Sequence, residues 1–210
     1  MTETSRRQGE SVELRTHGIS RCKIGTDGHG VTDLVSLAGC PLSCKWCLNK
    51  SVLADSPVHE VGVERILASV MREACYFVAT GGGVAFGGGE PLLQWEGIRE
   101  FAEIKPDWMR TTIETALQGP KEAIDELIPS VDLWMVDIKT LNPKLYAEYA
   151  GGSAETALSN LRQLIPVSDK VRVRIPVMPG LKEEREAQDE ARRVREMGFS
   201  DVEVFEYVVR

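Results

Sequence analysis

From Val31 onward, short apolar runs alternate with amphipathic stretches. Six runs read as strands: 31–39 (VTDLVSLAG), 83–87 (GVAFG), 110–116 (RTTIETA), 132–139 (DLWMVDIK), 170–178 (KVRVRIPVM) and 201–209 (DVEVFEYVV). The stretches between them have helical spacing. Within 61–79, Val63, Ile66, Leu67, Val70 and Met71 recur at helical intervals, and further helices are expected at 92–104, 121–128, 142–150 and 154–165. The stretch 183–198 reads as a charged, solvated helix that stops at Gly198. Every strand but the last is followed by helix, the pattern of right-handed βαβ units and a parallel sheet. Such units make either an open doubly wound sheet or an incomplete α/β barrel. No tandem repeat, low-complexity tract or Pro/Gly/Ser-rich linker interrupts them. Residues 1–210 therefore read as one domain, with a polar, peripheral segment at 1–20.

Composition narrows the partners. A chain of 210 residues that is 42% hydrophobic suits a single full-sized core. A net charge of -7 and a pI of about 5.2 argue against nucleic acid or an anionic membrane as the main partner. No apolar run approaches the ~18 residues needed to span a bilayer. The opening MTETSRRQGE lacks the apolar core of a signal peptide. A cytoplasmic location is expected, where thiols stay reduced and clustered cysteines point to metal or catalysis rather than disulfides. Five cysteines cannot all pair in any case.

Three of those cysteines, Cys40, Cys44 and Cys47, fall in GCPLSCKWC. Soft thiolates select zinc, copper(I) or iron–sulfur clusters. A closed zinc site takes four ligands, but Cys22 and Cys75 are isolated, and His17, His29 and His59 show no paired ligand spacing. Three thiolates from one loop would hold three irons of a 4Fe-4S cluster and leave the fourth open to a substrate or cofactor. Zinc and buried inert thiols are the competing readings. Cys22 and Cys75 themselves read as core thiols.

Two further stretches carry chemistry. In FGGGEPLLQ (86–94), Gly88 and Gly89 let the backbone approach a ligand and Glu90 adds a carboxylate. An ordinary strand-to-helix turn is the alternative, and no Gly-Lys-Ser/Thr follows to make a phosphate loop. In LWMVDIKT (133–140), alternation puts Leu133, Met135, Asp137 and Lys139 on one face and Trp134, Val136 and Ile138 on the other. In a barrel the second set packs on helices, and the first points inward with its charges at the C-terminal end, where α/β-barrel active sites lie. Opposite charges there cost free energy unless paired or ligand-bound. Glu114 follows the third strand and Arg174 lies inward on the fifth. Structural ion pairs are the alternative for Asp137, Lys139 and Arg174.

The spacing Cys-x3-Cys-x2-Cys, with Trp46 before the third cysteine, resembles the cluster loop of the radical S-adenosylmethionine superfamily. The segments TDGHGV, GCPLSCKWCLNK, GGGVAFGGGEPLLQ, IETALQ, LWMVDIKTLNPKLYAEYAGG and VRVRIPVMPG are similar, in order and spacing, to the glycyl-radical enzyme activating enzymes of the pyruvate formate-lyase type. The resemblance covers roughly residues 24–207 and implies an incomplete (β/α)6 parallel barrel. It implies an enzyme that cleaves S-adenosylmethionine reductively at one 4Fe-4S cluster, on Cys40, Cys44 and Cys47. The resulting 5′-deoxyadenosyl radical would take hydrogen from a glycine of a partner glycyl-radical enzyme, with a flavodoxin or ferredoxin as electron donor. By the same resemblance, Gly88, Gly89 and Glu90 hold the methionine amino group, and Asp137 and Lys139 contact the cofactor. Arg174 lies near the cofactor's carboxylate and Asn49 lies near the cofactor. Glu114, Thr115, Met135 and Asp137 match a monovalent-cation site. The chain departs from that family at Glu114, where Asp is usual, at Gly28-His29-Gly30, where Gly-Pro-Gly is frequent, and at Val208, where a His is common. The competing functions are radical chemistry on a small heterocycle or a ribosomally made peptide and, more remotely, a non-enzymatic zinc-binding α/β protein.

Overall fold

The structure, a computed structural model, describes residues 12–207. Val208 lies outside the described residues, as does most of the N-terminal segment. The strands are β1 (Glu13–Ile24), β2 (Val31–Leu37), β3 (His59–Gly62), β4 (Gly83–Gly88), β5 (Arg110–Thr115), β6 (Leu133–Asp137), β7 (Val171–Val177) and β8 (Asp201–Glu206). They form one sheet in the order β3-β1-β2-β4-β5-β6-β7-β8. The run from β2 to β8 is parallel throughout, and it consists of the six strands that the apolar runs predict. The order does not close on itself, so the barrel is incomplete.

The helices are α1 (Lys50–Asp55), α2 (Val63–Val70), α3 (Ala74–Thr80), α4 (Trp95–Ile104), α5 (Lys121–Leu127), α6 (Pro143–Ala150), α7 (Ala154–Gln163) and α8 (Glu184–Glu196). Several have legible ends. Asn142 caps α6 by accepting from the Lys144 and Leu145 amides, with Pro143 at its first position. Glu183 and Glu186 form a reciprocal capping box on α8. The core lies between sheet and helices. Trp134, Val136 and Ile138 are wholly buried in it, as alternation on β6 predicts.

Four expectations are corrected. Residues 13–20 are not peripheral, because β1 pairs antiparallel with both β2 and β3. Its register breaks between Thr16 and Gly18 and between Ser20 and Lys23, which blurs the period-2 pattern. The stretch 61–79 is not one helix: β3 runs to Gly62, and a 3-10 turn at Met71–Glu73 separates α2 from α3. Cys22 and Cys75 are exposed rather than core thiols. Cys22 sits where β1 loses register, at φ +50°, and only Phe77 of α3 is buried. The helix at 183–198 is not solvated all round, since α8 buries Ala187, Glu190, Ala191 and Val194. Among the described residues no helix is long and apolar enough to cross a membrane.

Candidate active site

The C-terminal ends of the parallel strands surround a cleft of about 500 Å³, within the ~300–1,000 Å³ common for ligand sites. The loop after β2 brings Cys40, Cys44, Cys47 and Asn49 to it. The end of β4 brings Gly88, Gly89 and Glu90, and β5 brings Glu114 and Thr115. Asp137, Lys139 and Arg174 complete the set from β6 and β7. Met135 is buried behind them on β6.

The cysteine loop is held by backbone bonds at both ends. Ala38 N donates to Arg15 O at 2.8 Å, which ties its start to β1. Ser43 N and Lys45 N donate to the carbonyls of Ala150 and Tyr149 at 2.8 and 3.0 Å. These are among the last carbonyls of α6, which have no partner inside the helix, so the loop caps α6 while α6 shapes the loop. Trp46 packs edge-on against Tyr149 and Tyr207, with centroids at 5.8 and 6.0 Å. Burial pushes the Cys44 thiol above its ordinary pKa, so iron ligation there must displace a proton. Among the described residues no three His, Cys, Asp or Glu side chains converge tightly enough to hold one ion. The three thiols line one cleft. In a cluster each thiolate takes a different iron, and this donor set fits that.

Glycine is needed beside them for a steric reason. A Cβ on Gly89 would lie 2.1 Å from the Gly39 carbonyl oxygen. Gly88 has φ +87° and lies against Ser36. Gly89 N and Glu90 N donate to Leu37 O and Gly39 O, both at 2.9 Å, so the glycine turn and the cysteine loop are laced together. Asn49 Nδ2 donates to Gly88 O at 3.2 Å. The Glu90 side chain has a bracing role: it accepts from Thr115 Oγ1 at 2.5 Å, Leu92 N at 3.2 Å and Ala116 N at 3.0 Å. Burial pushes its carboxyl up, against these hydrogen bonds.

The charges form a compact network. Asp137 accepts from Arg174 Nε at 2.7 Å and from Lys139 Nζ at 3.0 Å. Burial opposes the charge on Asp137, but Lys139 and Arg174 outweigh it and hold its carboxyl below the usual range. Burial likewise works against Lys139, and Asp137 more than offsets this and raises its pKa. Glu114 is the misfit. Burial pushes it up to about 8; Arg174 pulls it down, while Asp27 and Asp137 raise it further. Its Oε1 is buried with no hydrogen-bond partner, an atom that a ligand or cation would satisfy.

Sequence reading missed part of the cleft. Lys23 enters from the end of β1, Thr26 and Asp27 from the β1–β2 turn, and Phe205 and Tyr207 from the end of β8. The TDGHGV motif carries Asp27, so a signal for it was present. Nothing in the apolar run 201–209 marks Tyr207, whose hydroxyl lies 3.4 Å from Lys139 Nζ.

Comparison with known proteins agrees with this geometry. Residues 34–191 match the radical SAM superfamily. The chain is 32% identical over 190 residues to pyruvate formate-lyase 1-activating enzyme of Escherichia coli, covering 89% of this chain and 75% of that one. It is 30% identical over 222 residues to the (2S)-3-sulfopropanediol dehydratase activating enzyme of Klebsiella oxytoca, covering 75% and 69%. Streptococcus suis SuiB, solved with its precursor peptide SuiA, shares the fold at a TM-score of 0.64 and 20% identity. That match covers 81% of this chain and 37% of SuiB. A three-thiol loop beside a glycine turn and a charged strand end, on a chain so matched, places this protein in the radical S-adenosylmethionine superfamily, among the glycyl-radical enzyme activating enzymes.

Proposed function

We propose that this enzyme activates a glycyl-radical enzyme by removing a hydrogen atom from a glycine of that partner. The carrying observation is the convergence of Cys40, Cys44 and Cys47, the Gly88–Gly89 turn and the Asp137–Lys139–Arg174 network on one cleft. When bound, a 4Fe-4S cluster and S-adenosylmethionine supply one-electron cleavage of the cofactor and the radical that takes the hydrogen atom. The chain's own residues bind and orient. Cys40, Cys44 and Cys47 would hold the cluster through their thiolates. The Gly88 and Gly89 backbone and Glu90 hold the methionine amino group, with Glu90 also bracing the turn against β5. Arg174 and Lys139 face the cofactor's carboxylate, and Asp137 keeps both cations in place. Asn49 flanks the cofactor beside Gly88. Glu114 and Asp137, with Thr115 and Met135, provide the oxygen-rich corner for a monovalent cation, and the orphaned Glu114 oxygen supports that reading. The open side of the sheet admits a polypeptide loop, and a flavodoxin or ferredoxin delivers the electron.

The test is anaerobic reconstitution with iron and sulfide, then dithionite and S-adenosylmethionine, with 5′-deoxyadenosine as the readout. Product that disappears in Cys44→Ala supports the radical chemistry. Deuterium transfer from the labelled glycine of a candidate partner into 5′-deoxyadenosine supports the substrate assignment. Transfer only from a small molecule or a ribosomally made peptide overturns it.

A further inference from the structure

Lys182 and Glu190 line no part of the cleft, yet they are 1% and 7% exposed. Lys182 follows β7 in a tight turn whose backbone bonds to Met178, and Glu190 lies on the buried face of α8. The two side chains pair at 2.7 Å. Each also reaches the backbone that leaves β6. Lys182 Nζ donates to the Lys139 carbonyl at 2.8 Å. Glu190 Oε1 accepts from Thr140 Oγ1 and Leu141 N, both at 2.6 Å. The Thr140 hydroxyl in turn accepts from Asn142 N at 3.1 Å. A pair of apolar residues would hold α8 against this segment without the desolvation cost of two buried charges. Apolar residues could not hold it directionally. Both ends of this pair terminate on residues 139–141, the stretch from which Lys139 turns back to Asp137 and toward Tyr207.

We infer that the Lys182–Glu190 pair is a positioning device for Lys139, and that through its grip on the Lys139 carbonyl it sets the enzyme's affinity for S-adenosylmethionine. This rests on the proposed role of Lys139 at the cofactor. A displacement of about 1 Å at a positioned group is enough to forfeit much of its effect. The carbonyl bond restrains such a shift at Lys139 itself, which lies beyond the last β6–β7 register pair, Asp137 with Arg174, and beyond the Ile138 N bond to Arg174 O at 3.0 Å.

The test compares four variants of the reconstituted enzyme by equilibrium binding of S-adenosylmethionine and by thermal melting. Lys182→Met/Glu190→Gln removes both charges together. It keeps the Gln carbonyl as acceptor for Thr140 and Leu141, and takes only the donor from the Lys139 carbonyl. It should melt within a few degrees of wild type and bind the cofactor about tenfold more weakly, with kcat at saturation within about twofold. Glu190→Gln alone strands the buried Lys182 ammonium and should melt lower than wild type, but it keeps the Lys182 donor on the Lys139 carbonyl and, measured below its melting temperature, should retain affinity within about twofold. Lys182→Met alone strands a buried carboxylate and should lose both stability and affinity. Lys139→Met reports on the reading beneath the inference. If it weakens binding while the double variant binds like wild type, the positioning role is overturned and the cleft assignment stands. A tenfold loss in Glu190→Gln would also overturn it, since loosening of α8 would then suffice. If Lys139→Met itself binds normally, the cleft assignment fails and takes the inference with it.

Discussion

Asp137→Asn removes the carboxylate shared by Arg174 and Lys139 while preserving shape. Breaking a buried ion pair by removing one partner costs about 3–5 kcal/mol, because the remaining charge is left uncompensated. Here Asp137 keeps 24% of its side-chain exposure, Arg174 22% and Lys139 10%, so water screens part of the loss. About 2 kcal/mol is the expected cost after that discount. In a chain of this size it lowers the melting temperature by about 4–8 °C. The pH dependence carries a sign. Asp137 titrates below its unfolded value, so its contribution is present above about pH 4 and is lost as pH falls through the lower folded value. Melts of cofactor-free protein between about pH 3 and pH 8 should show a gap between variant and wild type at neutral pH that closes in acid. Glu114 adds a second signature. Without Asp137 it loses a like-charged neighbour and keeps Arg174, so it ionises more readily and takes over part of the pairing. Glu114→Gln/Asp137→Asn should therefore cost more than the two single changes combined. A single Asp137→Asn variant that melts with wild type at neutral pH, with an unchanged acid slope, would refute the network.

The remaining predictions each probe a different part of the cleft. In ligand-free protein, Glu114 titrates at about 8 against 4.5 when unfolded, so its burial costs nothing below pH 4.5 and progressively more up to about pH 8. Glu114→Gln should thus stabilise at pH 8 and change little at pH 4, and a variant melting no higher than wild type at pH 8 sinks this account. Gly89→Ala must push the Gly39 carbonyl aside and break the Glu90 N bond to it; iron per chain after reconstitution should fall well below wild type, and full loading would contradict the steric argument. Ile24 and Leu48 are 78% and 79% exposed; Leu48 lines the cleft, and Ile24 lies between the lining residues Lys23 and Thr26. Changing either to Ser should leave partner-free 5′-deoxyadenosine formation intact and lower glycine hydrogen transfer about tenfold, whereas unchanged transfer would show that the partner does not touch this rim.

Much of this arrangement was legible because local signals agreed with the final packing. The parallel strands are bounded apolar runs followed by helix, and alternation on β6 separates Trp134 from Asp137 without knowledge of neighbours. The cysteines and the Gly-Gly-Glu turn were legible because their chemistry is set by short-range spacing. The failures arise where long-range pairing decides. Of the side chains of β1, Leu14 and Thr16 are the buried ones, since it sits near the sheet edge, so its sequence reads as polar. Glu190 looks like one more charge on a charged helix until Lys182, Thr140 and Leu141 are brought to it. The thiols of Cys22 and Cys75 read wrongly as core, because an isolated cysteine carries no period to tell a buried position from an exposed one.

The strand order has a consequence for biosynthesis. Apart from β3, which returns to β1, each new strand joins the edge left by the one before. The sheet can therefore grow strand by strand as the chain leaves the ribosome, with little waiting for distant partners. The thiols at residues 40–47 emerge before several of the walls around them. Arg174, the Lys182–Glu190 brace and Tyr207 all lie far downstream of the thiols. A nascent chain thus carries the three thiols before β7 and β8 exist to wall them, so a cluster inserted at that stage would lack Arg174 and Tyr207 beside it.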